Sequence, residues 1–233
     1  MFVATGAAIF SPSANGQLAA NFTADKTQGC SPLLVRFSDL TTGTPTTWLW
    51  DLGNGITSTQ QNPTSFYFNP GVYNIKLVAR KPGVADSIIK SQFITVYSSP
   101  NISFFASDTI GCVPFTIQYN NLSTAGSGTI SSWQWDLGDG MISNQQNPQH
   151  TYTLEGNFSI TLKATNSFGC VKTINKPAYV NVRDEMVAAF SHTGGVECRS
   201  PVTVNFQNNS AGNGTINYQW KFGDGTTSTT QNP

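Results

Sequence analysis

Two stretches of the chain alternate between apolar and polar residues without interruption. They run from 71 to 79 and from 156 to 164, and both follow the pattern Gly-x-aromatic-x-Ile-x-Leu-x-Ala. A period of two is typical of a strand with one buried face. Shorter alternating runs surround Val35, Ile117 and Val204. Because no stretch sustains the 3.6-residue period of a helix over three turns, the pattern predicts an all-β protein.

A tryptophan-containing phrase occurs three times at a constant spacing. It reads Trp-Leu-Trp-Asp-Leu-Gly-Asn-Gly at its first occurrence and is centred on Trp50, Trp135 and Trp220, which are 85 residues apart in both intervals. Solenoid repeats are shorter, at about 20–50 residues. The spacing therefore indicates a whole small domain that is repeated along the chain.

The repeats predict four segments. These are an N-terminal segment at 1–20, complete repeats at 21–98 and 101–183, and a partial repeat at 187–233. The third repeat stops before it reaches the long alternating strand, so we expect it to be truncated. Residues 1–20 are small and apolar without Lys or Arg, and two interpretations stay open, a signal remnant or a linker. The short connections between repeats predict a stiff rod.

Composition narrows the class of protein. Charged residues make up only 10% of the chain, and 12 basic side chains balance 12 acidic ones. No basic patch stands out, which argues against a nucleic-acid partner. No apolar run approaches the ~20 residues of a membrane-spanning helix. A surface that owes its solubility to Ser, Thr, Asn and Gln suits an extracellular protein.

The tryptophan phrase has a simple physical interpretation. Residues two apart in a strand share a face, so Trp48, Trp50 and Leu52 should all point into the core. Burial of such a large side chain contributes a few kcal/mol by area. The Gly-Asn-Gly or Gly-Asp-Gly that follows predicts a tight hairpin turn with positive φ. The predicted core and turn residues are Trp50, Trp135, Trp220, Gly55, Gly140 and Gly225.

Other landmarks keep the same period. An aromatic residue opens each repeat, at Phe22, Phe105 and Phe190, and Gln-Asn-Pro follows each tryptophan phrase. With the Trp-Asp-Leu-Gly-Asp-Gly phrase, these motifs resemble PKD (polycystic kidney disease) domains. The resemblance implies tandem immunoglobulin-like β-sandwiches, the third truncated, that serve as spacers or interaction modules. The Gly-Cys-x-Pro opening resembles PKD repeats in large surface adhesins of gliding, type IX-secreting bacteria. Asn54 and Lys221 depart from the motif.

The sequence offers little for catalysis or metal binding. His150 and His192 lie in different repeats, and no nucleophile, phosphate-loop or zinc motif accompanies them. We expect no catalytic residue, no cofactor and no metal site. Asp136 and Asp139 could offer oxygen ligands to calcium, but such a site needs six to eight oxygens. The favoured interpretation is that these side chains accept hydrogen bonds from their own turn, although related PKD modules sometimes bind calcium at other positions.

Sugar binding would need aromatic rings on an exposed surface. The candidates are Tyr67, Phe68, Tyr97 and Phe168. Neighbouring strands could bury all four, so the favoured interpretation is packing in the core or at sheet edges.

The four cysteines allow three complete pairings. Cys30, Cys112 and Cys198 share one matched position, whereas Cys170 lies in the turn between the last two strands of the second repeat. In a seven-stranded sandwich these turns lie at opposite poles, too far apart for Cys112 to reach Cys170. Repeats stacked end to end would instead bring Cys30 to Cys170. We hypothesise that inter-repeat disulfide, with Cys112–Cys170 as the alternative pairing and free thiols as a third.

These features favour an extracellular structural or adhesive spacer in a large secreted cell-surface protein, such as a gliding or surface adhesin. The alternative is a non-catalytic accessory module of a secreted polysaccharide-degrading enzyme. The candidate partners are the rest of a longer chain, a glycan or surface ligand, and the outer-membrane secretion machinery. We also expect the third repeat to be ordered only if something covers its apolar surface.

Overall fold

The computed structural model describes residues 16–195, 200–212 and 215–233. All regular secondary structure in these ranges is β-strand, which confirms the predicted all-β class. Among the described residues, one compact unit contains those up to Asn101 together with Thr124–Ser131 and Thr165–Lys172, and the other contains the remaining ones. Across the described ranges, no helix is long and apolar enough to cross a membrane.

The first repeat is a sandwich of two sheets. Its strands are β1 (Phe22–Ala24), β2 (Gln28–Cys30), β3 (Leu33–Asp39), β4 (Thr47–Asp51), β5 (Thr57–Ser58), β6 (Thr64–Tyr67), β7 (Gly71–Lys81) and β8 (Val84–Tyr97). One sheet has the order β1-β3-β6, and the other has the order β2-β8-β7-β4-β5. Strand β2 runs parallel to β8, whereas the other pairs are antiparallel. The predicted strand at 71–79 is therefore a central strand of the larger sheet.

The core of the first repeat follows the alternation in the sequence. Ile75, Leu77 and Ala79 of β7 are fully buried, while the residues between them are not. Trp50 is also fully buried, and its indole N–H donates to the carbonyl of Gln60 at 2.9 Å. The ring of Phe22 packs edge-on against Trp50 with centroids 5.2 Å apart. The large indole thus fills the interior as predicted and has a partner for its polar atom.

The second repeat has the same two-sheet arrangement. Its strands are β9 (Phe104–Ala106), β10 (Ile110–Cys112), β11 (Phe115–Asn121), β12 (Ile130–Asp136), β13 (Ile142–Ser143), β14 (Gln149–Tyr152), β15 (Gly156–Asn166) and β16 (Val171–Arg183). The sheets have the orders β14-β11-β9 and β10-β16-β15-β12-β13. Trp135 is fully buried and donates to the carbonyl of Gln145 at 2.9 Å.

One predicted landmark is shifted by a residue. The sequence pattern matches Phe105 to Phe22, but Phe104 is the buried residue that packs edge-on against Trp135 at 5.0 Å. Phe105 is exposed. Successive strand residues face opposite sides, so Phe104 and Phe105 cannot both enter the core. Because two phenylalanines are adjacent, the sequence alone does not show which of them enters the core.

The third repeat contains shorter pieces of sheet. Strands β17 (Phe190–Gly194) and β18 (Val204–Asn208) form one pair, and β19 (Trp220–Lys221) and β20 (Thr227–Ser228) form another. Trp220 lies between Phe190 and Phe206, with ring centroids 5.4 and 5.7 Å away. It is only half-buried, unlike Trp50 and Trp135, because no long strand comparable to β7 lies over it within the described residues.

The turn after each tryptophan phrase is wider than the predicted tight hairpin. Asp51 pairs with Thr57, so five residues connect β4 to β5, and the amide of Leu52 donates to Ile56 across this loop at 3.0 Å. The predicted turn glycines Gly55, Gly140 and Gly225 do have positive φ, at 83°, 90° and 92°. The preceding glycine of each loop also has positive φ. The two glycines are separated by one residue, so they do not occupy the adjacent central positions of a two-residue type I′ turn.

Residues 16–20 pack on the first repeat. Leu18 and Ala20 are buried, and Ala19 exchanges backbone hydrogen bonds with Thr42. The Lys81 ammonium donates to the carbonyls of Gly16 and Gly43, both at 3.1 Å. Residues 1–15 of the predicted N-terminal segment lie outside the described residues.

Candidate functional site

A disulfide joins Cys30 to Cys170, with Cα atoms 5.5 Å apart. Cys30 is the last residue of β2, and Cys170 directly precedes β16. Both residues belong to the first compact unit, although Cys170 comes from the sequence of the second repeat. The structure therefore contains the inter-repeat pairing and excludes the alternative Cys112–Cys170. Cys112 is exposed and makes no disulfide within the described residues, and Cys198 lies outside them.

Two aromatic rings lie in the same unit as the disulfide. The rings of Tyr97 and Phe168 stack with centroids 3.8 Å apart and planes only 7° from parallel. Tyr97 ends β8, and Phe168 lies in the loop before Cys170. Both are sugar-binding candidates in the sequence, but the stack covers one face of each ring. The stack thus holds the end of β8 against the 165–172 segment.

Asn166 is the buried polar centre of this region. Its side-chain amide donates to the carbonyls of Ser98 and Ala125, at 3.0 and 3.2 Å. Its carbonyl oxygen accepts from the amides of Phe168 and Cys170, at 3.1 and 2.9 Å. All four hydrogen bonds of one amide are directed at backbone, which is the condition for burying such a group without a large penalty.

Hydroxyl groups extend the contacts of Asn166. The amide of Ser98 donates to Ser127 Oγ at 2.9 Å, and Asn101 forms an isolated bridge with Thr124. We call the group formed by the disulfide, the aromatic stack and Asn166 the disulfide cluster. Its members are Cys30, Cys170, Tyr97, Phe168 and Asn166. Every one of them lies in the first compact unit. The disulfide cluster connects the end of the first repeat, covalently and by packing, to loops that belong to the second repeat in sequence.

Sequence reasoning missed Asn166 because no motif marks it. The first repeat has Lys81 at the equivalent position, where the ammonium also donates to two backbone carbonyls. A short loop separates Asn166 from Cys170, and this proximity to a cysteine was the one sequence feature that could have pointed to Asn166. Polar residues are so frequent in this chain that one amide near a turn does not stand out.

The histidines do not form a catalytic arrangement with each other. His150 Nε2 lies 2.6 Å from Asp139 Oδ2, and its ring packs edge-on against Tyr152. His192 lies in β17 and contacts the ring of Phe206. In the first repeat, Asn54 and Ser65 make the hydrogen bond that corresponds to Asp139 and His150. The Asp139–His150 pair therefore takes the place of the structural hydrogen bond between Asn54 and Ser65.

The candidate calcium ligands are engaged in their own turns. Asp136 accepts from the amide of Gly138 and Asp139 from that of Met141, both at 3.0 Å. In the third repeat Asp224 accepts from Thr226, through backbone and side chain, and these hydrogen bonds lower its pKa. Within the described part of the chain, no three His, Cys, Asp or Glu residues are grouped so that they could hold a metal ion.

Buried tyrosines carry the large pKa shifts of the chain. Burial raises the pKa of Tyr119 to about 12, and it also raises the pKa of Tyr67 and Tyr152. Tyr152 donates to the carbonyl of Leu137 and shares a hydrogen bond with the Tyr119 hydroxyl, each at 2.8 Å. Tyr67 donates in the same way to Leu52. These tyrosines are neutral structural hydrogen-bond donors in the cores.

The expectation that Phe68 is packed away was wrong. Phe68 follows the end of β6 and is 67% exposed, and Phe66, two residues earlier, is 48% exposed. Tyr67 between them is fully buried, as expected. Successive residues of an extended chain face opposite sides. Because Tyr67 points into the core, Phe66 and Phe68 point toward solvent.

Comparison with known proteins agrees with the architecture. The family model of the PKD domain matches residues 12–96 and 97–182. The chain belongs to the PKD-domain family. The gliding and type IX resemblance finds no support among these comparisons. The first two repeats are PKD domains.

Relatives with similar sequences include much longer proteins. The chain is 30% identical over 149 residues to the pre-pro-metalloprotease PrtV of Vibrio cholerae, covering 64% of this chain and 16% of that protein. It is 45% identical over 51 residues to a microbial collagenase of Vibrio alginolyticus, covering 22% and 6%. The chain thus spans a small fraction of the length of these relatives.

Solved structures of similar fold include single PKD domains. The PKD1 domain of Vibrio anguillarum Epp is 24% identical, with a TM-score of 0.33, and covers 37% of this chain and 98% of that one. The PKD1 domain of Vibrio cholerae metalloprotease PrtV is 28% identical, with a TM-score of 0.32, and covers 36% and 98%.

Proposed function

We propose that this chain is a non-catalytic spacer and accessory segment of a larger secreted protein. The observation that carries the proposal is the disulfide cluster, in which a covalent bond and a buried amide tie segments of successive PKD domains into one compact unit. Such a device maintains mechanical continuity along a chain. Disulfides of this kind are typical of secreted proteins.

Two kinds of parent protein are compatible with a spacer. An accessory segment of a secreted hydrolase is favoured by the relatives, which are a metalloprotease and a collagenase. A second candidate is an adhesive spacer in a surface protein of a gliding, type IX-secreting bacterium. Its support is the Gly-Cys-x-Pro opening at Cys30 and Cys112. In that case the outer-membrane secretion machinery is a further partner.

Deletion of residues 16–195 from the parent protein separates these possibilities. For a hydrolase, we expect kcat/KM on a small soluble substrate to stay unchanged, while turnover of an insoluble polymer falls. For an adhesin, we expect no hydrolysis by the intact parent and a loss of cell attachment after deletion. The purified 233-residue chain should hydrolyse neither casein nor gelatin nor soluble polysaccharide, and hydrolysis that survives repurification would contradict a spacer role.

A further inference from the structure

The third repeat has an open aromatic groove beside its tryptophan strand. The rings that line this cavity of about 520 Å³ belong to Phe190, Phe206, Tyr218, Trp220 and Phe222, and we call these five residues the acceptor groove. In the first domain the tryptophan strand β4 lies between β5 and β7. In the described parts of the third repeat, β19 pairs with β20 alone. One edge of this tryptophan strand is therefore open there.

The acceptor groove keeps the ring arrangement of a complete domain. The centroid of Trp220 lies 5.4 Å from that of Phe190 and 5.7 Å from that of Phe206. The matching distances around Trp50 in the first domain are 5.2 and 5.7 Å. Both indoles donate to a backbone carbonyl ten residues further along the chain, at 3.0 and 2.9 Å. The wall that receives a covering strand is thus in place without that strand, and such preorganisation lowers the cost of binding one.

The two complete domains show what such a groove holds. In the first domain, Leu77 of β7 lies opposite Trp50, and Ala79 lies opposite Trp48. The side chains of β7 and β15 that are fully buried in this way are Ile75, Leu77 and Ala79 in the first domain and Ile160, Leu162 and Ala164 in the second. The matching occupant is an extended strand with Ile, Leu and Ala on one face. Its backbone would add to the open edge of β19, as in other cases where a peptide extends a sheet.

The charge of Lys221 narrows the choice of strand. In the first domain Asp51 lies opposite Lys76, and both side chains are on the exposed face of the sheet. Lys221 occupies the position of Asp51 in the third repeat and is also exposed. Opposite charges that face each other across two strands stabilise the pair, and like charges destabilise it. The groove therefore disfavours a strand with a basic residue between its Ile and its Leu and favours one with Asp or Glu there.

We infer that the acceptor groove binds an extended strand of a partner polypeptide with the pattern Gly-x-aromatic-x-Ile-acidic-Leu-x-Ala. The strand runs antiparallel to β19, with its Leu opposite Trp220 and its acidic residue opposite Lys221. A second copy of this chain is a poorer occupant. Its β7 has Lys76 at the acidic position and its β15 has Thr161, and both strands are already central in their own sheets. This inference goes beyond the spacer role and does not depend on it.

The test adds 11-residue peptides with the sequence of β15, Gly156–Asn166, to the 233-residue chain. One peptide keeps Thr161, and two others carry Thr161→Glu or Thr161→Lys. Calorimetry measures their affinity at low ionic strength, because salt screens exposed charges. We expect the Glu peptide to bind about threefold to tenfold more tightly than the Lys peptide, with the Thr peptide between them. A Glu peptide that also carries Ile160→Asn and Leu162→Asn should not bind, because it has lost the apolar face.

A charge-swapped chain provides the matched control. Lys221→Glu changes an exposed side chain, so the melting temperature should stay close to that of wild type, while the order of the Glu and Lys peptides should reverse. Hydrogen exchange locates the peptide in the same samples. With the Glu peptide, residues 218–222 of the wild-type chain should gain protection, whereas residues 133–137 should not, because β12 already lies between β15 and β13.

The inference is overturned if the Glu peptide shows no saturable binding, or if wild type and Lys221→Glu prefer the peptides in the same order. Equal binding of the peptide with Ile160→Asn and Leu162→Asn would also overturn it, because the groove would then not recognise the apolar face. A dimeric chain with residues 218–222 protected in the absence of peptide would overturn it as well, since the occupant would be a second copy. None of these results bears on the spacer role.

Discussion

Asn166 shows how one side chain can determine the stability of a connection. Replacing it with alanine leaves the carbonyls of Ser98 and Ala125 and the amides of Phe168 and Cys170 without that partner. Since each unsatisfied buried group costs about 1–3 kcal/mol, we expect Asn166→Ala to lower the free energy of unfolding by at least 2 kcal/mol. Urea denaturation monitored by tryptophan fluorescence measures this loss.

The control for Asn166 is an exposed asparagine on the neighbouring strand. Asn175 makes one hydrogen bond, to Thr161 Oγ1 at 2.7 Å. Asn175→Ala should change the free energy of unfolding by no more than about 0.5 kcal/mol. Equal effects of the two substitutions would show that Asn166 is not a structural centre.

Tyr119 gives the second domain a dependence on alkaline pH. Burial raises the pKa of Tyr119 to about 12, so the folded state favours the neutral phenol more than the unfolded state does. The resulting stability is fully present below pH 10 and is lost as the pH rises from 10 through 12. We expect Tyr119→Phe to make this decline shallower, as measured by denaturation at several pH values.

The comparison is best made with Cys112 and Cys198 replaced by serine, so that no free thiol exchanges with the disulfide at alkaline pH. If wild type and Tyr119→Phe lose stability in parallel above pH 10, Tyr119 does not contribute to the titration.

The sequence predicts the core tryptophans of the two complete domains well and the residues that occur in a single domain poorly. Trp50 and Trp135 are buried as expected. Each indole shares a strand face with an apolar residue two positions away, and such a face packs into the core. Asn166 occurs in only one of the two complete domains, so the period gave no warning of its role. The choice between Phe104 and Phe105 depends on the strand register. A shift of one residue exchanges the buried and exposed faces of a strand.

The loop after each tryptophan phrase is the element whose detail the sequence least specified. In the second domain, Gly138 and Gly140 have φ of 85° and 90°. A Cβ atom on Gly138 would lie 2.7 Å from the carbonyl oxygen of Ser159, whereas one on Gly140 would meet nothing within 4 Å. We therefore expect Gly140→Ala to cost about 1–2 kcal/mol from backbone strain alone. Gly138→Ala should cost more, because it adds a clash with backbone.

Thermal unfolding of the two glycine variants tests this order, and each serves as the control for the other. A larger loss for Gly140→Ala than for Gly138→Ala would mean that the close approach of Ser159 is not what fixes the loop. The sequence identified the glycines as turn residues. The difference in the space around the two glycines comes from Ser159 on the opposite strand. This residue lies about 20 positions further along the chain, so the loop sequence does not reveal it.

The sheets themselves were more predictable than their loops. Unbroken alternation located β7 and β15, because both have one face in the core. The parallel pairing of β2 with β8 and of β10 with β16 was not predicted, since these three-residue strands have no pattern of their own. Such short edge strands are held by the neighbouring strand.

Over the whole molecule, the third repeat should be the least stable region. Phe190, Phe206 and Trp220 line an open groove of about 520 Å³, and Phe190 is largely exposed. We expect amides of β18 to exchange about 100-fold or more faster than those of β7 in the monomeric 233-residue chain. Hydrogen exchange followed by mass spectrometry measures both segments in one sample. Strong protection of residues 204–208 in a monomer would contradict this expectation.

The disulfide determines how the chain responds to tension. It joins residues 140 positions apart, and most of the first domain and most of the second lie between them. Force applied through the two ends passes across the bond, so the enclosed residues stay shielded even if their sheets open. Pulling single molecules in oxidising buffer should therefore leave unextended about 450–500 Å of chain that the Cys30→Ser, Cys170→Ser variant releases.

The equilibrium consequence has the same origin. Closing a loop of this length lowers the entropy of the unfolded chain, which stabilises the folded state by up to about 5 kcal/mol. A Cys112→Ser variant is the control, because it removes an exposed thiol and keeps the bond. If wild type and the double serine variant extend to the same length, the bond does not carry the load. Because the enclosed residues are shielded in this way, the chain should extend less under force than the variant without the bond, which suits the proposed spacer role.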